Sequence, residues 1–291
     1  MSWRTVVIRS RAKLDYKMHY MIVRKDFGLS KIYIDEIYML LIESTAVSMT
    51  AVLLNELIKA KVKIVFCDEK RNPSGELIPF YGSHNTSKRC REQTEWSKEI
   101  QSLVWTELIR KKIHNQMKQL SVVGKEECKM LQGYLSELTL NDETSREGHA
   151  AKVYFNALFG QQFSRQQDIP INAALNYGYA ILLSAINREI VSHGYITQLG
   201  LWHSNQFNPF NLGSDFIEPI RGIIDAWVIN NPMDEFTKVE KLNIIDLLST
   251  DVLIDGAKRI LSDAIPMYCR SVFNALNRRA LEEIRFIEYE L

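Results

Sequence analysis

One stretch of the sequence, residues 200–227, combines side chains that commonly bind divalent metal ions. His203 lies in a loop rich in glycine, asparagine and proline, and Asp215 and Glu218 follow it where a helix is predicted to begin, with Ser214 or Asp215 as its N-cap. Because Asp215 and Glu218 are three residues apart, a helix places them on one face. An imidazole beside such carboxylates predicts half of a site for a divalent metal.

The other half of the site is expected from Glu147. The segment 145–155 is predicted to be helical, and Glu147 shares a face with alanines, while Gly148 keeps the neighbouring surface small enough for a helix or a substrate backbone to approach. Taken alone, a glutamate on a helix is more commonly exposed, and a histidine beside a tryptophan is more commonly a buried structural residue. The prediction depends on the combination of Glu147 with His203, Asp215 and Glu218.

If Glu147, His203 and Glu218 converge, one nitrogen and two carboxylate oxygens form a hard, open site suited to Mg²⁺ or Mn²⁺. Such a metal polarises a phosphodiester oxygen and activates a water or a sugar hydroxyl as the nucleophile. Asp215 could bind the metal directly or orient its ligands. The sequence contains no phosphate-binding loop and no dinucleotide-binding glycine motif, so nucleotide hydrolysis and hydride transfer are not supported.

The composition is that of a globular protein with a substantial core. The chain has 291 residues, of which 46% are hydrophobic and 24% charged, so one large or two modest domains are expected. No apolar run approaches the roughly 18 residues of a membrane span, and the first residues lack a signal-peptide pattern. The four cysteines form no Cys-x-x-Cys pair, which predicts reduced thiols in a cytoplasmic protein and disfavours a zinc or iron–sulfur site.

The charges are distributed unevenly along the chain. Residues 1–130 carry 23 Lys and Arg against 15 Asp and Glu, whereas residues 131–291 carry 13 against 20. A basic front half could contact phosphates and an acidic back half could supply metal ligands. The alternative, ordinary charges on a solvated surface, would be favoured if this were the only observation.

Hydrophobic periodicity predicts an α+β protein in which a small N-terminal, mainly β domain (1–83) precedes a larger, all-α domain (84–291). Short runs rich in β-branched and aromatic residues predict strands in the first part, at 5–8, 20–23, 31–34, 37–42 and 63–66. A helix is expected at 47–60. Beyond residue 85 only helices are predicted, at 86–122, 126–138, 143–159, 172–193, 215–227, 238–248 and 255–289.

Four motifs resemble, in their order, those of the CRISPR-associated adaptation integrases, the universal Cas-one proteins, and most closely the type II form. They are Glu147-Gly-x-Ala-Ala-x-x-Tyr-Phe155, Asn172-x-x-Leu-Asn-Tyr-Gly-Tyr179, the His203 loop, and Asp215-x-x-Glu218-Pro-x-Arg221. The resemblance implies that Glu147, His203 and Glu218 are the metal ligands and that Asp215 is a nearby acidic residue of the active site. The last ligand is often aspartate in that family, so Glu218 is a departure that affects ligand geometry.

The resemblance also implies a function. Proteins of that family are metal-dependent DNA integrases and endonucleases that insert short foreign DNA into a CRISPR array, the spacer-acquisition step of antiviral defence, by attack of a 3′-hydroxyl on a phosphodiester. They form homodimers through the N-terminal β domain, and two dimers flank a dimer of the Cas-two partner. Double-stranded DNA is therefore the expected substrate, with no membrane partner. Candidate DNA contacts are the cations of the helix predicted at 86–122, namely Lys88, Arg89, Arg91, Arg110, Lys111 and Lys112.

Two other functions remain open at the level of the residues. The chain could be a non-catalytic DNA-binding scaffold in which the carboxylates and His203 form a buried polar network. It could also be a metal-free hydrolase that uses a glutamate and a histidine as acid and base.

Overall fold

The computed structural model describes residues 2–26, 28–80 and 82–289. Strands dominate the first part of the chain. In order, its elements are β1 (Arg4–Ile8), β2 (Ala12–Lys17), β3 (Tyr20–Lys25), β4 (Gly28–Tyr33), β5 (Ile37–Ile42), β6 (Val47–Met49), α1 (Ala51–Lys59), β7 (Lys63–Cys67) and β8 (Pro73–Glu76).

The described residues of this part form two sheets of four strands each. One has the order β1-β5-β7-β8, with the first three strands parallel and β8 antiparallel to β7, and the other has the order β4-β3-β2-β6. Strand β5 is buried at every position, as expected for a central strand covered on both faces. Leu40 and Ile42 face a core shared with α1, whereas Tyr38 and Leu41 face the helices of the second part.

The second part is mainly helical. Its elements are α2 (Thr86–Glu95), α3 (Lys98–Val122), α4 (Cys128–Glu137), α5 (Arg146–Phe159), α6 (Pro170–Ser192), α7 (Asn211–Ile217), α8 (Gly222–Asn230), α9 (Lys238–Asp246), β9 (Asp251–Ile254), β10 (Ala257–Ile260), α10 (Leu261–Arg278) and β11 (Ile287–Glu288). Helices α3 and α6 are central, since α3 packs against α4, α5, α8 and α10, and α6 packs against α7–α10. In the part of the chain that is described, no helix is both long and apolar enough to cross a membrane.

The mixed α+β class is confirmed, but the prediction that the second part is all-α is wrong. Strands β10, β9 and β11 form an antiparallel sheet, and β10 and β11 lie inside the segment predicted as a helix at 255–289. Asp255 and Gly256 join β9 to β10, with φ of +53° and +72°. An Asp-Gly pair between short apolar runs is a hairpin signal, because a two-residue turn of this kind needs positive φ at both positions. That local signal outweighs the helical periodicity of the segment.

The single helix predicted at 86–122 is also wrong, because the chain breaks between α2 and α3. Trp96 is buried in an extended conformation and its indole Nε1 donates to Asn277 Oδ1 at 2.9 Å. Ser97 then caps α3 by accepting from the Ile100 backbone N–H at 3.3 Å. A serine that caps a helix and an anchored tryptophan together favour a break, although neither glycine nor proline is present.

Helix α6 joins the two parts of the chain. The Arg188 guanidinium lies 4.5 Å from the centre of the Tyr38 ring and donates to the Lys61 carbonyl at 2.8 Å. Nearby, the buried Lys63 and Glu76 side chains form an ion pair at 2.6 Å. The largest apolar cluster also contains residues from both sides of the predicted boundary at 83/84. The division into two domains stays a prediction.

Candidate active site

Glu147 lies in the first turn of α5, where the chain is fixed by a buried carboxylate. Asp142 accepts from the backbone N–H of Arg146 at 2.7 Å and of Glu147 at 3.0 Å, so it satisfies two otherwise unpaired donors of the helix N-terminus. A carboxylate in this turn is also favoured by the helix dipole. The space around Gly148 is open, because a Cβ there would meet no atom within 4 Å. The sequence thus positions Glu147 through its own helix start.

The His203 loop folds around the carboxylate of Asp215, which is 0% exposed. Asp215 Oδ2 accepts from the Leu201 backbone N–H at 2.5 Å, and Oδ1 accepts from the His203 backbone N–H at 3.1 Å. Gly200 permits this arrangement, because a Cβ there would lie 2.4 Å from the His203 carbonyl oxygen and 2.7 Å from Asp215 Oδ2. The helix begins at Asn211 rather than at Ser214 or Asp215, so Asp215 is a helical residue and the predicted N-cap is wrong.

Asp215 also fixes the orientation of the His203 ring. His203 Nδ1 lies 2.7 Å from Asp215 Oδ1, an arrangement that leaves Nε2 as the nitrogen for another ligand. This hydrogen bond is the main cause that raises the pKa of His203, and it outweighs the opposing effect of burial. The Trp105 ring packs edge-to-face against the imidazole, with the ring centres 5.6 Å apart. The imidazole is therefore held by a charge on one side and an aromatic wall on another.

Glu218 begins a short 3-10 turn, Glu218–Ile220, between α7 and α8. The turn is anchored on α3, because the Asn115 side-chain amide donates to the Pro219 carbonyl at 2.8 Å. Glu218 is 5% exposed, and its Oε1 contacts Arg221 Nη2 at 3.0 Å. Burial acts to raise the pKa of Glu218, but the charges of Arg221 and Lys112 hold it below its ordinary value. Glu218 is therefore a buried, ionised carboxylate.

Glu147 and Glu218 meet on one cation. The Lys112 ammonium, from α3, contacts a carboxylate oxygen of Glu147 and lies 2.6 Å from Glu218 Oε2. Burial acts to lower the pKa of Lys112, and the two carboxylates reverse this effect and raise it. These three side chains line a cavity of about 220 Å³, whose wall also includes Arg165, Tyr179 and Asp225. His203 does not line this cavity and instead borders a larger groove of about 850 Å³.

The donor set fits a divalent metal in chemistry but is not assembled as a metal-binding group. Within the described ranges, no three His, Cys, Asp or Glu side chains are grouped closely enough to hold an ion. Lys112 occupies the space between the two glutamates, and His203 interacts with Glu218 through its charge. Glu218 Oε2 is buried and contacts the Lys112 ammonium at 2.6 Å. Two carboxylates that share one cation, and the Nε2 of His203, are ligands that suit Mg²⁺ or Mn²⁺.

Lys112 differs from the role expected for it. The sequence predicts Lys112 as a candidate DNA contact, but it is buried between two carboxylates. Lys112 is four residues after the buried Leu108 and three before the buried Asn115, so it lies on the inner face of α3. This spacing could have indicated from the sequence that Lys112 is buried.

The other expected DNA contacts lie on two helices instead of one. Lys88 and Arg91 are exposed on α2, and Arg89 pairs with Glu92 at 2.7 Å. Arg110 pairs with Glu107 at 3.2 Å, and Lys111 contacts Glu288. Part of this positive charge is therefore offset by neighbouring carboxylates. Binding of DNA by these residues stays a prediction.

A tyrosine pair and Asp225 form a part of the site that the sequence analysis did not identify. Tyr154 OH donates to Asp225 at 3.2 Å, and Tyr179 OH contacts the other carboxylate oxygen. Burial raises the pKa of Asp225 to about 6, although both hydroxyls act to lower it. The signal was a lone aspartate within the apolar run Ile223–Trp227, where a charge is costly unless it is hydrogen-bonded.

A family model and a protein of known family that resemble this chain carry the same family name. The family model of "CRISPR associated protein Cas1" matches residues 5–238. The CRISPR-associated endonuclease Cas1 of Neisseria meningitidis serogroup C (strain 8013) is 34% identical over 231 residues, which are 79% of this chain and 76% of that protein.

Solved structures show the same fold at low sequence identity. A CAS1 protein from Thermotoga maritima has a TM-score of 0.77 at 16% identity, over 94% of this chain and 97% of that chain. A casposase bound to integration product has a TM-score of 0.77 at 18% identity, over 96% and 91%. A chain of a Cas6-RT-Cas1–Cas2 complex has a TM-score of 0.74 at 19% identity, where 97% of this chain spans 36% of that chain.

The family model covers most of the chain, and the Neisseria relative is 34% identical over 76% of its own length. We conclude that the chain belongs to the CRISPR-associated Cas1 family.

Proposed function

We propose that this chain is a metal-dependent DNA integrase and endonuclease that inserts short foreign DNA segments into a CRISPR array. One observation carries this proposal: Glu147 and Glu218, which belong to different elements, meet on the Lys112 ammonium. Nearby, the ring of His203 is oriented by a fully buried carboxylate. Two carboxylates and an imidazole are a donor set for Mg²⁺ or Mn²⁺, the ions used for phosphodiester chemistry.

The relatives support DNA integration through their names. The Neisseria protein is a CRISPR-associated endonuclease, and the casposase of similar fold is bound to an integration product. In the proposed reaction, the 3′-hydroxyl of an incoming DNA segment attacks a phosphodiester at the repeat boundary, and the leaving group is the 3′-oxygen of the cleaved strand. No protein nucleophile is required.

Each side chain has a role in this chemistry. Glu147, Glu218 and His203 Nε2 would hold the metal, which when bound polarises a phosphodiester oxygen. Asp215 keeps the imidazole in one orientation. The Arg221 guanidinium, whose Nη2 lies 3.0 Å from Glu218 Oε1, favours the ionised form of Glu218. These supporting groups act before substrate arrives, because they fix the geometry of the ligands in advance.

A strand-transfer assay tests the proposal. The wild-type chain should join a DNA segment with a 3′-hydroxyl to a repeat substrate in Mg²⁺ or Mn²⁺, and a dideoxy-terminated segment should not react. Glu147→Gln should lower the rate by about 100-fold or more, because it removes a metal-binding charge. The control is Glu143→Gln, which changes an exposed carboxylate shortly before α5 and should leave the rate unchanged.

The same assay distinguishes the two other functions. A DNA-binding scaffold would bind the substrate but join no ends, so Glu147→Gln and wild type would behave alike. A metal-free hydrolase that uses a glutamate and a histidine as acid and base would stay active in EDTA. Loss of activity in EDTA and its return with added Mn²⁺ would support the proposal.

We also propose the assembly in which this chain works. Similar chains occur in Cas6-RT-Cas1–Cas2 complexes, so a Cas2 partner is proposed here, together with double-stranded DNA as substrate. The chain is further proposed to form a homodimer through the strands of residues 1–83. Light scattering on the isolated chain should give twice the mass of 33.7 kDa. A monomeric mass at micromolar concentration would argue against the homodimer.

A further inference from the structure

The cavity that contains Glu147 and Glu218 also contains an arginine from a different segment. Arg165 lies in the connection between α5 and α6, and its side chain lines the same space of about 220 Å³ as the two glutamates. The Arg165 side chain is half-buried, and the proposed metal site does not use it.

The Arg165 guanidinium is held in one place by polar and aromatic contacts. Its Nη1 donates to Asn172 Oδ1 at 2.7 Å, and its Nη2 donates to Asn176 Oδ1 at 2.5 Å. Its carbon lies 5.4 Å from the centre of the Tyr179 ring and 5.7 Å from that of Phe155. Because a guanidinium has five N–H groups, three remain for another partner.

Arg165 forms no ion pair with a carboxylate of the described residues. Lys112 and Arg221 pair with the two glutamates, and Asp225 is held by tyrosine hydroxyls. Among the residues with described positions, no carboxylate lies within ion-pair distance of Arg165. Burial lowers the pKa of Arg165, and the charges of Tyr179 and Asp225 offset only part of this effect.

We propose that Arg165 binds a DNA backbone phosphate next to the phosphodiester that reacts. A guanidinium fixed in position, with free N–H groups and an unpaired charge, suits the planar recognition of phosphate oxygens. Its place in the same cavity as Glu147 and Glu218 puts that phosphate beside the site of chemistry. This inference rests on the proposed function, because it assumes that DNA enters this cavity.

The salt dependence of DNA binding tests the inference without any metal. In EDTA, Arg165→Gln should reduce the slope of log affinity against log salt concentration by about 0.9 for duplex or about 0.7 for single-stranded DNA. Arg278→Gln removes the same charge from an arginine already paired with Glu283 at 2.7 Å, so its slope should equal that of wild type. Asn176→Ala removes one support but keeps the charge, and it should also keep the slope.

Neutral phosphates identify the contact itself. A series of DNA substrates, each with one methylphosphonate, should contain one position that weakens binding by wild type about tenfold, the size of a lost hydrogen bond to a charged group. The same substitution should cause no further loss with Arg165→Gln, because the partner is already gone. If Arg165 had a purely structural role, the loss of DNA affinity from Arg165→Gln and the loss from the methylphosphonate would multiply at every position.

Two results would overturn the inference: an unchanged salt slope for Arg165→Gln, or multiplied losses at every position. If Arg165→Gln does not fold, Arg165→Lys decides the matter. This variant keeps the positive charge but lacks the planar N–H groups of the guanidinium. The loss of DNA affinity caused by the methylphosphonate should therefore be severalfold smaller than in wild type. An equal loss in Arg165→Lys and wild type would contradict the contact. Strand transfer by wild type on unmodified DNA is measured in parallel. Its absence would contradict the proposed function, whereas the salt slope and the phosphonate series judge Arg165 separately.

Discussion

At the scale of single residues, Lys112 has the largest effect on how the site behaves before a metal binds. Its ammonium contacts two carboxylates, one of which is buried, and its charge helps to hold the pKa of Glu218 below its ordinary value. In the proposed function, a divalent ion would take the place of this cation between the two glutamates. This arrangement explains why the glutamates converge in the structure although no metal-binding group is assembled around them.

Replacing Lys112 should destabilise the protein and make it dependent on metal. Lys112→Met leaves two carboxylates without their shared counter-charge, which costs about 3–5 kcal/mol for a buried pair. Added Mn²⁺ should restore part of this free energy of unfolding, so the rise in Tm with Mn²⁺ should be larger than in wild type. Thermal unfolding with and without Mn²⁺ measures both effects.

The neighbouring Lys111 provides the matched control. Lys111 contacts Glu288, which is exposed, and an ion pair at the surface contributes about 0–1 kcal/mol. Lys111→Met should therefore unfold close to wild type and show no added response to Mn²⁺. Equal losses for both variants would contradict the role given to Lys112.

Asp225 should make stability depend on pH. Its folded pKa is about 6, above the ordinary value of 3.8, so the folded state binds the proton more tightly than the unfolded state. Its contribution to stability is therefore fully present below about pH 4 and is lost as pH rises through about 6. The free energy of unfolding of wild type should fall by about 3 kcal/mol across this range from this group.

Urea unfolding at pH 5 and pH 7.5 tests the role of Asp225. The side chain of Asp225→Asn cannot ionise. From pH 5 to pH 7.5, the free energy of unfolding of this variant should therefore decrease less than that of wild type. An identical change in wild type and Asp225→Asn would show that the buried carboxylate does not titrate as expected.

At the scale of elements, the start of a helix or turn positions both glutamates of the site. The Asp142 carboxylate fixes the first turn of α5, and the 3-10 turn at Glu218–Ile220 is anchored by Asn115. Residue types and their spacing predicted Glu147 and Glu218 as metal ligands, and that role stays a prediction. The turn itself was not predicted, because its anchor is a contact with α3, which is distant in sequence.

The two glycines near the ligands should differ in their response to alanine. A Cβ at Gly200 would lie 2.4 Å from the His203 carbonyl oxygen, so Gly200→Ala must displace the His203 loop. A 1 Å displacement of a positioned group can lower the rate by about 100-fold, so strand transfer should fall by that order. Assays of rate and of unfolding by urea measure the two consequences.

Gly148→Ala is the comparison, because it adds a methyl group to the same site where the space is open. Alanine is favoured over glycine within a helix by about 1 kcal/mol, so the free energy of unfolding should be unchanged or higher. If Gly148→Ala lost as much activity as Gly200→Ala, a general sensitivity of the region would explain both, and the specific role of Gly200 would be rejected.

Elements predicted from the sequence failed where a local signal opposed the average pattern. The break at Trp96–Ser97 and the hairpin at Asp255–Gly256 both lie within segments whose periodicity favours a helix. In the first, a cap and a long-range hydrogen bond from Trp96 decide the outcome. In the second, a two-residue turn and pairing with β11 decide it, and β11 is too short to be predicted from two residues.

At the scale of the whole molecule, three distant segments contribute Glu147, His203 and Glu218, and one apolar cluster joins the sheet of the first part to the helices of the second. The change from a strand-rich first part to a mainly helical second part was predictable, because hydrophobic periodicity records which face of each element is buried. The convergence of Glu147 and Glu218 on Lys112 was only half predictable. Motifs indicated the two carboxylates, but no pattern in the sequence indicated that an ammonium from α3 would lie between them.

The most direct test is the anomalous diffraction of a crystal soaked in Mn²⁺. The account predicts one peak in contact with carboxylate oxygens of Glu147 and Glu218 and with His203 Nε2, with the Lys112 ammonium moved away from at least one glutamate. The peak should be absent from crystals of Glu147→Gln grown and soaked in the same way. Manganese bound elsewhere, with Lys112 still between the two glutamates, would contradict the account.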